Sequence, residues 1–269
     1  MLKQAALLAQ LRAACHADKR VVAAVLGGSC ATGEMDAYSD IDCVLFFEPA
    51  ALATLDRAAW VAQLAPLALF FADDFGHFTA IFADLVRAEF HFDPADQMAR
   101  VDAWAGSVWF PALAAAVLVD RTGELSRRLQ PLVGGPPQRD TAAAALRLIQ
   151  HFGNFVLFGL NVLERGELAR ALDVLSLLHR YLLHLARLVE GATAHWPTPS
   201  RALEHDLSPA AYARLQACTA RLNRAELVAA YQAAWGWGLE LGAVLAARHG
   251  LAWPLTLAQP LAERVARLA

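Results

Sequence analysis

The sequence predicts an α+β protein, with a mixed sheet flanked by helices in the first half and an α-helical bundle in the second. Three observations carry that expectation. Short apolar runs such as Val21–Leu26 and Cys43–Phe47 alternate with helix-like stretches in the first half, and such runs bounded by turn residues read as strands. Breakers follow Leu129 at Pro131, Gly134-Gly135 and Pro136-Pro137, where a helix cannot continue and a strand is disfavoured. From Asp140 onward the chain consists of long Ala/Leu-rich segments. Domains are therefore expected at 1–135 and 136–269.

In chain order, the spacing predicts a helix near 2–18, strands near 21–26 and 40–47, and a helix near 51–64. Strands follow near 67–71, 77–83 and 85–92, the last two forming a hairpin about Ala83-Asp84, with another strand at Ala115–Asp120. Helices are expected near 140–165, 168–190, 208–222 and 224–249, separated by Gly166, by Pro197 with Pro199, and by Asn223, and ended by Gly250 and Pro254. These lengths suit a small bundle.

With 269 residues, 57% of them hydrophobic, the chain has material for two cores. A net charge of −3 lacks the basic footprint of proteins that bind nucleic-acid polymers, which favours a small-molecule partner. No uninterrupted apolar run reaches bilayer-spanning length, and Lys3, Gln4, Gln10 and Arg12 interrupt the first helix where a leader would be apolar. A cytoplasmic location with no membrane partner is expected. Cys15, Cys30, Cys43 and Cys218 have no paired spacing, and His179 and His184 miss the same-face spacing of a helical metal site. A phosphate-binding Gly-Lys-Ser/Thr loop is also missing from the sequence.

The chemistry concentrates where the first two strands end and begin. Gly28-Ser29 closes the run Val21–Leu26, and Asp40-Ile41-Asp42 opens the next. In a strand, side chains at i and i+2 share a face, so Asp40 and Asp42 can present their oxygens together. Mg²⁺ takes one or two carboxylates plus substrate phosphate oxygens, which makes this pair a candidate Mg²⁺ site. Gly28 lets backbone approach a ligand without a Cβ in the way. Ser29–Thr32 reads as a short helix whose N–H groups, with the Ser29 hydroxyl, would face an anion. The simplest alternative is a turn with solvated aspartates.

A third carboxylate lies in the run Leu85–Phe92, where Arg87, Glu89 and His91 share one face and Ala88, Phe90 and Phe92 the other. Glu89 then either pairs with Arg87 as a surface ion pair, worth little, or stands beside Asp40 and Asp42 as a metal ligand or general base. In the second half, His151, Asn154, Asn161 and Arg165 fall on one helical stripe. The stripe is either the solvated face that an amphipathic helix normally has or, if that helix packs on the first domain, it faces a cleft, and Arg165 and Arg170 become candidates for clamping a triphosphate. The aromatic residues Phe152, Phe155, Phe158, Tyr231, Trp235 and Trp237 read as core.

The combination Asp18-Lys19-Arg20-Val21, Gly28-Ser29, Gly33-Glu34, Asp36, Tyr38-Ser39-Asp40-Ile41 and Glu89-Phe90-His91-Phe92 resembles the lincosamide nucleotidyltransferases of the larger, clindamycin-modifying type. The likeness continues through Asn161-Val162-Leu163, Arg165-Gly166-Glu167, Ala169-Arg170 and Thr219-Ala220-Arg221-Leu222, and includes the opening Met1-Leu2-Lys3-Gln4. One departure is Asp42, where a family member carries the longer glutamate. The resemblance implies a nucleotidyltransferase-fold catalytic domain followed by a helical domain, and a homodimer. It also implies Mg²⁺-dependent O-nucleotidylation of a lincosamide-like hydroxyl from a nucleoside triphosphate such as ATP, giving antibiotic resistance. Asp40, Asp42 and Glu89 are then catalytic, Asp40 and Asp42 hold the metal, and Gly28, Ser29, Arg165 and Arg170 bind the nucleotide. Two other readings use the same motif: an aminoglycoside adenylyltransferase, whose polycationic substrate needs an acidic cleft, and a non-enzymatic nucleotide-binding or antitoxin-type protein, which would be expected to have lost a carboxylate.

Overall fold

The computed structural model describes residues 2–252 and 255–268; Met1 and the expected breaker Pro254 lie outside the described residues. The chain divides into two units, Met1–Pro137 and Gln138–Ala269.

The first unit runs α1 (Lys3–Ala17), β1 (Val21–Leu26), α2 (Gly28–Thr32), β2 (Ile41–Phe47), α3 (Pro49–Ala53), α4 (Arg57–Ala62), β3 (Leu67–Ala72), β4 (Phe78–Phe82) and β5 (Arg87–Pro94). A 3-10 segment, Ala95–Trp104, precedes α5 (Leu113–Ala116), β6 (Val117–Asp120) and α6 (Glu124–Leu129). The strands form one mixed sheet in the order β3-β4-β5-β2-β1-β6. Its one parallel pair among the described residues, β2 with β5, lies at the centre, and the other neighbours are antiparallel. β1, with five of its six residues buried, reads as an unbroken apolar run because it lies inside the sheet. β5 alternates instead: Ala88 and Phe90 are buried, whereas Arg87, Glu89 and His91 are not. α1 packs on β1 and β6 through its buried residues Leu7, Leu11 and Cys15.

The helix expected at 51–64 is two helices. The Asp56 carboxylate accepts the backbone N–H of Ala59 at 2.9 Å and starts a new helix there. The β4–β5 turn is longer than Ala83-Asp84. Leu85 takes a left-handed φ of 68°, and Asp84 Oδ1 accepts from Val86 N at 3.2 Å, so β5 begins only at Arg87.

The second unit contains α7 (Ala142–Glu164), α8 (Leu168–Glu190), α9 (Leu203–Asp206), α10 (Pro209–Ala217), α11 (Arg224–His249) and α12 (Leu255–Ala266). α7, α8 and α11 pack against one another, and α12 lies on α7 and α11. Their core holds the expected aromatics: Phe152 stacks on Trp235 with ring centroids 6.0 Å apart, and the buried Tyr231 hydroxyl donates to Ala171 O at 2.8 Å. α10 stops at Ala217, short of the expected 222. Asn223 caps α11 through Glu226 N at 3.0 Å, while Glu226 accepts Arg221 N at 2.9 Å, which commits these residues to the next helix start. By length and composition alone α7 could cross a membrane, although Arg147, Gln150, His151 and Asn154 interrupt its apolar run. In this unit it buries one face, including Leu148, Phe152, Val156 and Leu160, against its neighbours.

Arg187 on α8 is fully buried and fastens the 192–206 segment. It donates to Pro199 O and Ala192 O, both at 2.8 Å, to Arg201 O at 2.6 Å, and to Asp206 Oδ2 at 2.6 Å. His195 Nδ1 shares that Asp206 oxygen at 2.6 Å. Burial would raise the Asp206 carboxyl, but its bonds to His195 and Arg187 outweigh it and hold the group below the usual carboxylate range. The folded state therefore binds a proton here less readily than the unfolded chain. The stabilisation is complete above the unfolded carboxylate value and lost as pH falls through the lowered folded one. Thermal stability is expected to decline in acid, below about pH 4, and Asp206→Asn should flatten that part of the Tm–pH curve. An unchanged curve would exclude this contribution.

Candidate active site

The residues singled out in the first half gather at the centre of the sheet. β1 ends against β2 with Leu26 paired to Cys43, and Gly27 N donates to Asp42 O at 2.8 Å. The chain then turns into α2 through Gly28, which has a left-handed φ of 54°. A Cβ on Gly28 would collide with the Asp42 carboxylate. Glycine is needed here both for the backbone conformation and for the close approach. Ser29, the next residue, is almost fully buried.

The loop that brings the chain back to β2 is held by its own polar groups. Asp36 Oδ1 accepts from Tyr38 N and Ser39 Oγ, both at 2.9 Å. The buried Gln4 side chain on α1 donates to Ala37 O at 2.9 Å and Ser39 O at 3.1 Å. Asp40 therefore lies one residue before β2, on a loop braced from the amino-terminal helix.

The parallel β2–β5 register sets Asp42 directly opposite Glu89. Between neighbouring parallel strands such partners project from the same face. Arg87, two residues before Glu89 on that face, reaches both remaining carboxylates: Nη1 lies 2.6 Å from Asp40 Oδ2, and Nη2 bonds Glu89 Oε1. The surface ion pair of Glu89 with Arg87 is thus present, and Arg87 links it to Asp40; among the described residues no three acidic, histidine or cysteine side chains are grouped so as to hold a metal ion. Burial works against the Arg87 charge, but its bonds to Glu89 and Asp40 prevail and hold the guanidinium more firmly protonated than usual. His91 continues the face. Its ring centroid lies 3.9 Å from that of His77, and burial, with His77 beside it, keeps its pKa below the usual histidine value.

A cavity of about 320 Å³ opens beside Gly28 and Asp42. Its polar lining consists of Asp42, His91, Asp93 and Arg100, and its walls are otherwise apolar, including Phe46, Trp104 and Phe110. Arg100 Nη1 pairs with Asp93 Oδ1 at 3.4 Å. Asp93, Arg100 and Trp104 were not legible as site residues, because the 3-10 segment that carries two of them has no sequence signature. Arg87 and His91 carried a signal, the period-two alternation of β5, but one that does not reveal which carboxylates they meet.

Arg165 and Arg170 belong to the second unit. Arg165 is the exposed C-cap residue of α7. Arg170 on α8 pairs with Glu167 Oε2 at 3.2 Å, and its guanidinium stands 5.4 Å from the Phe158 ring centre. Of the α7 stripe, His151 and Asn154 are exposed and Asn161 is half-buried. His179 and His184 each bond a backbone carbonyl, at 2.7 Å and 2.9 Å respectively.

Residues 8–71 match the family model of the nucleotidyltransferase domain, a span that contains Gly28, Ser29, Asp40 and Asp42 and ends before Glu89. Residues 141–263 match the family model described as the lincosamide nucleotidyltransferase-like C-terminal domain. No curated protein matches the sequence. Among solved structures, the crystal structure of an aminoglycoside 6-adenyltransferase from Bacillus subtilis aligns over 98% of this chain and 96% of its own, at 12% identity and a TM-score of 0.46. The protein is a nucleotidyltransferase. More narrowly, its helical half resembles the C-terminal domain of lincosamide nucleotidyltransferase-like proteins.

The close approach at Gly28 gives a direct test of the site's construction. Gly28→Ala should cost about 1 kcal/mol for the positive φ and force the Asp42 carboxylate from its position. Transfer activity is expected to fall by roughly a hundredfold or more, while Tm drops by only a few degrees. Near-normal kcat in the folded variant would contradict the tight Gly28–Asp42 packing.

Proposed function

We propose that the protein transfers an adenylyl group from ATP to a hydroxyl of a small hydroxylated antibiotic, most favourably a lincosamide, releasing pyrophosphate. The observation that carries this reading is the in-register placement of Asp42 and Glu89, joined to Asp40 through Arg87, beside the glycine whose missing Cβ leaves room for the Asp42 carboxylate.

The donor chemistry suits Mg²⁺, although no three such side chains among the described residues are already grouped to hold a metal ion. Carboxylate oxygens are the ligands a hard cation takes, and the cluster already has a guanidinium placed between two of its carboxylates. Asp40 and Asp42 would hold the ion, which when bound neutralises charge on the transferring phosphate. Gly28 and Ser29 leave room for the outer phosphates and offer N–H and hydroxyl donors. Glu89 accepts the proton of the attacking hydroxyl as its oxygen bonds the α-phosphorus and the bond to the leaving pyrophosphate breaks. Arg165 and Arg170 are offered as phosphate clamps, since a guanidinium engages phosphate oxygens two at a time.

The acceptor class is supported by the cavity beside Asp42. Its walls are predominantly apolar and aromatic, and its Asp93 is already paired with Arg100. A polycationic aminoglycoside would favour a more acidic lining, and a non-enzymatic descendant would have little reason to keep Asp40, Asp42 and Glu89. The reading also includes a cytoplasmic homodimer with no nucleic-acid or membrane partner, in keeping with the family resemblance and the net charge of −3.

ATP labelled at the α-phosphate, incubated with the protein and a panel of lincosamides and aminoglycosides, is the deciding assay. Label is expected on lincosamides and only with Mg²⁺ present. Transfer confined to aminoglycosides would favour the alternative acceptor, and no transfer to any member would contradict an antibiotic-modifying role.

A further inference from the structure

We propose that Arg87 is the resident counter-cation of the carboxylate cluster: it holds Asp40 and Glu89 in place and must be displaced before a divalent ion can be bound there. This inference rests on the metal reading of Asp40 and Asp42 given above.

The argument begins with charge. Asp42 and Glu89 face each other across the parallel pair, and Asp40 is drawn to the same place by its bond to Arg87. Three neighbouring carboxylates repel one another unless a cation stands among them. The guanidinium supplies that cation, with one nitrogen on Asp40 and another on Glu89. A forked, planar group suits this bridging, because it can engage two carboxylates at once. It also cannot relinquish its proton in the working pH range, so it competes with any incoming cation at every pH.

The bridge constrains Glu89 as well. While Arg87 sits on Glu89, one of its oxygens is already engaged, and departure of Arg87 both opens the metal position and frees that oxygen. The side chain is free to leave. Arg87 is the first residue of β5 and 43% exposed, and its two partners are 42% and 30% exposed, so it can swing to solvent without backbone movement. Arg87 therefore acts as a positioning residue, working through Asp40 and Glu89.

The test is Mn²⁺ affinity without nucleotide, measured by calorimetry on the full-length protein. Arg87→Gln removes the competing charge and is expected to tighten Mn²⁺ binding by roughly tenfold. Arg87→Met, which keeps the aliphatic stem, should do the same. Arg87→Lys keeps the charge and should remain within about threefold of wild type. A merely structural arginine would predict the reverse order, with the two neutral variants binding no better or worse. Equal or weaker Mn²⁺ binding by Arg87→Gln and Arg87→Met, with wild-type circular dichroism, overturns the proposal. Asp40→Asn separates the two levels of inference. If it weakens Mn²⁺ binding while the Arg87 variants bind no tighter, only the counter-cation role falls. If it leaves Mn²⁺ binding unchanged, the metal reading falls and takes this inference with it.

Discussion

Asp40→Asn is expected to lower kcat for nucleotidyl transfer by roughly a thousandfold or more, on the order of 4 kcal/mol of transition-state stabilisation, with Tm almost unchanged. Asparagine matches aspartate in shape, so the loop pinned by Asp36, Ser39 and Gln4 keeps its hydrogen bonds. What disappears is one negative charge at the proposed metal position, and with it the ionic character of the Arg87 Nη1 pair. The Asp40–Arg87 pair is about two-fifths exposed on both sides, and pairs of that kind contribute about 0–1 kcal/mol to stability. The two effects therefore separate: a large loss in rate with little loss in folding. Steady-state transfer kinetics beside a thermal melt check both. A variant that turns over within tenfold of wild type would remove Asp40 from the machinery.

The largest stability effect is expected in the other unit. Arg187→Met should destabilise the helical unit by about 3–5 kcal/mol. The guanidinium is fully buried and satisfies three backbone carbonyls and the Asp206 carboxylate. Methionine fills much of the volume but leaves those acceptors without donors, and orphaned buried acceptors carry their full desolvation cost. Asp206 would retain only His195 among these partners. Denaturant unfolding followed by the fluorescence of the buried Trp235 and Trp237 measures the change, with the midpoint shifting at unchanged slope. A loss below about 1 kcal/mol would show that the 192–206 segment is held by its other contacts.

The sequence made legible whatever depends on short-range periodicity. β1 and β2 stand out because apolar runs inside a sheet lack polar interruptions, and β5 because Ala88 and Phe90 point into the core while Arg87 and Glu89 do not. The long helices α7, α8 and α11 follow from the same logic at helical spacing. What stayed hidden depends on contacts between distant residues. Gln4 looked like an interruption in an apolar helix face, yet it ties down the loop that delivers Asp40. The in-register meeting of Asp42 with Glu89 is fixed by a crossover spanning α3, α4, β3 and β4, whose path no local pattern records. The break between α3 and α4 depends on one capping bond from Asp56. Arg100 and Trp104 reach the cavity from the 3-10 segment Ala95–Trp104, a kind of element that short-range periodicity does not announce.

Diffraction from crystals soaked with Mn²⁺ and a non-hydrolysable ATP analogue tests the central claim most directly, because Mn²⁺ is located by its anomalous signal. The ion is predicted between the Asp40 and Asp42 carboxylates, with the triphosphate against Gly28 and Ser29 and the Arg87 guanidinium withdrawn from Glu89. An ion bound elsewhere, or a nucleotide seated away from Gly28 with Arg87 still bridging Asp40 and Glu89, would contradict it.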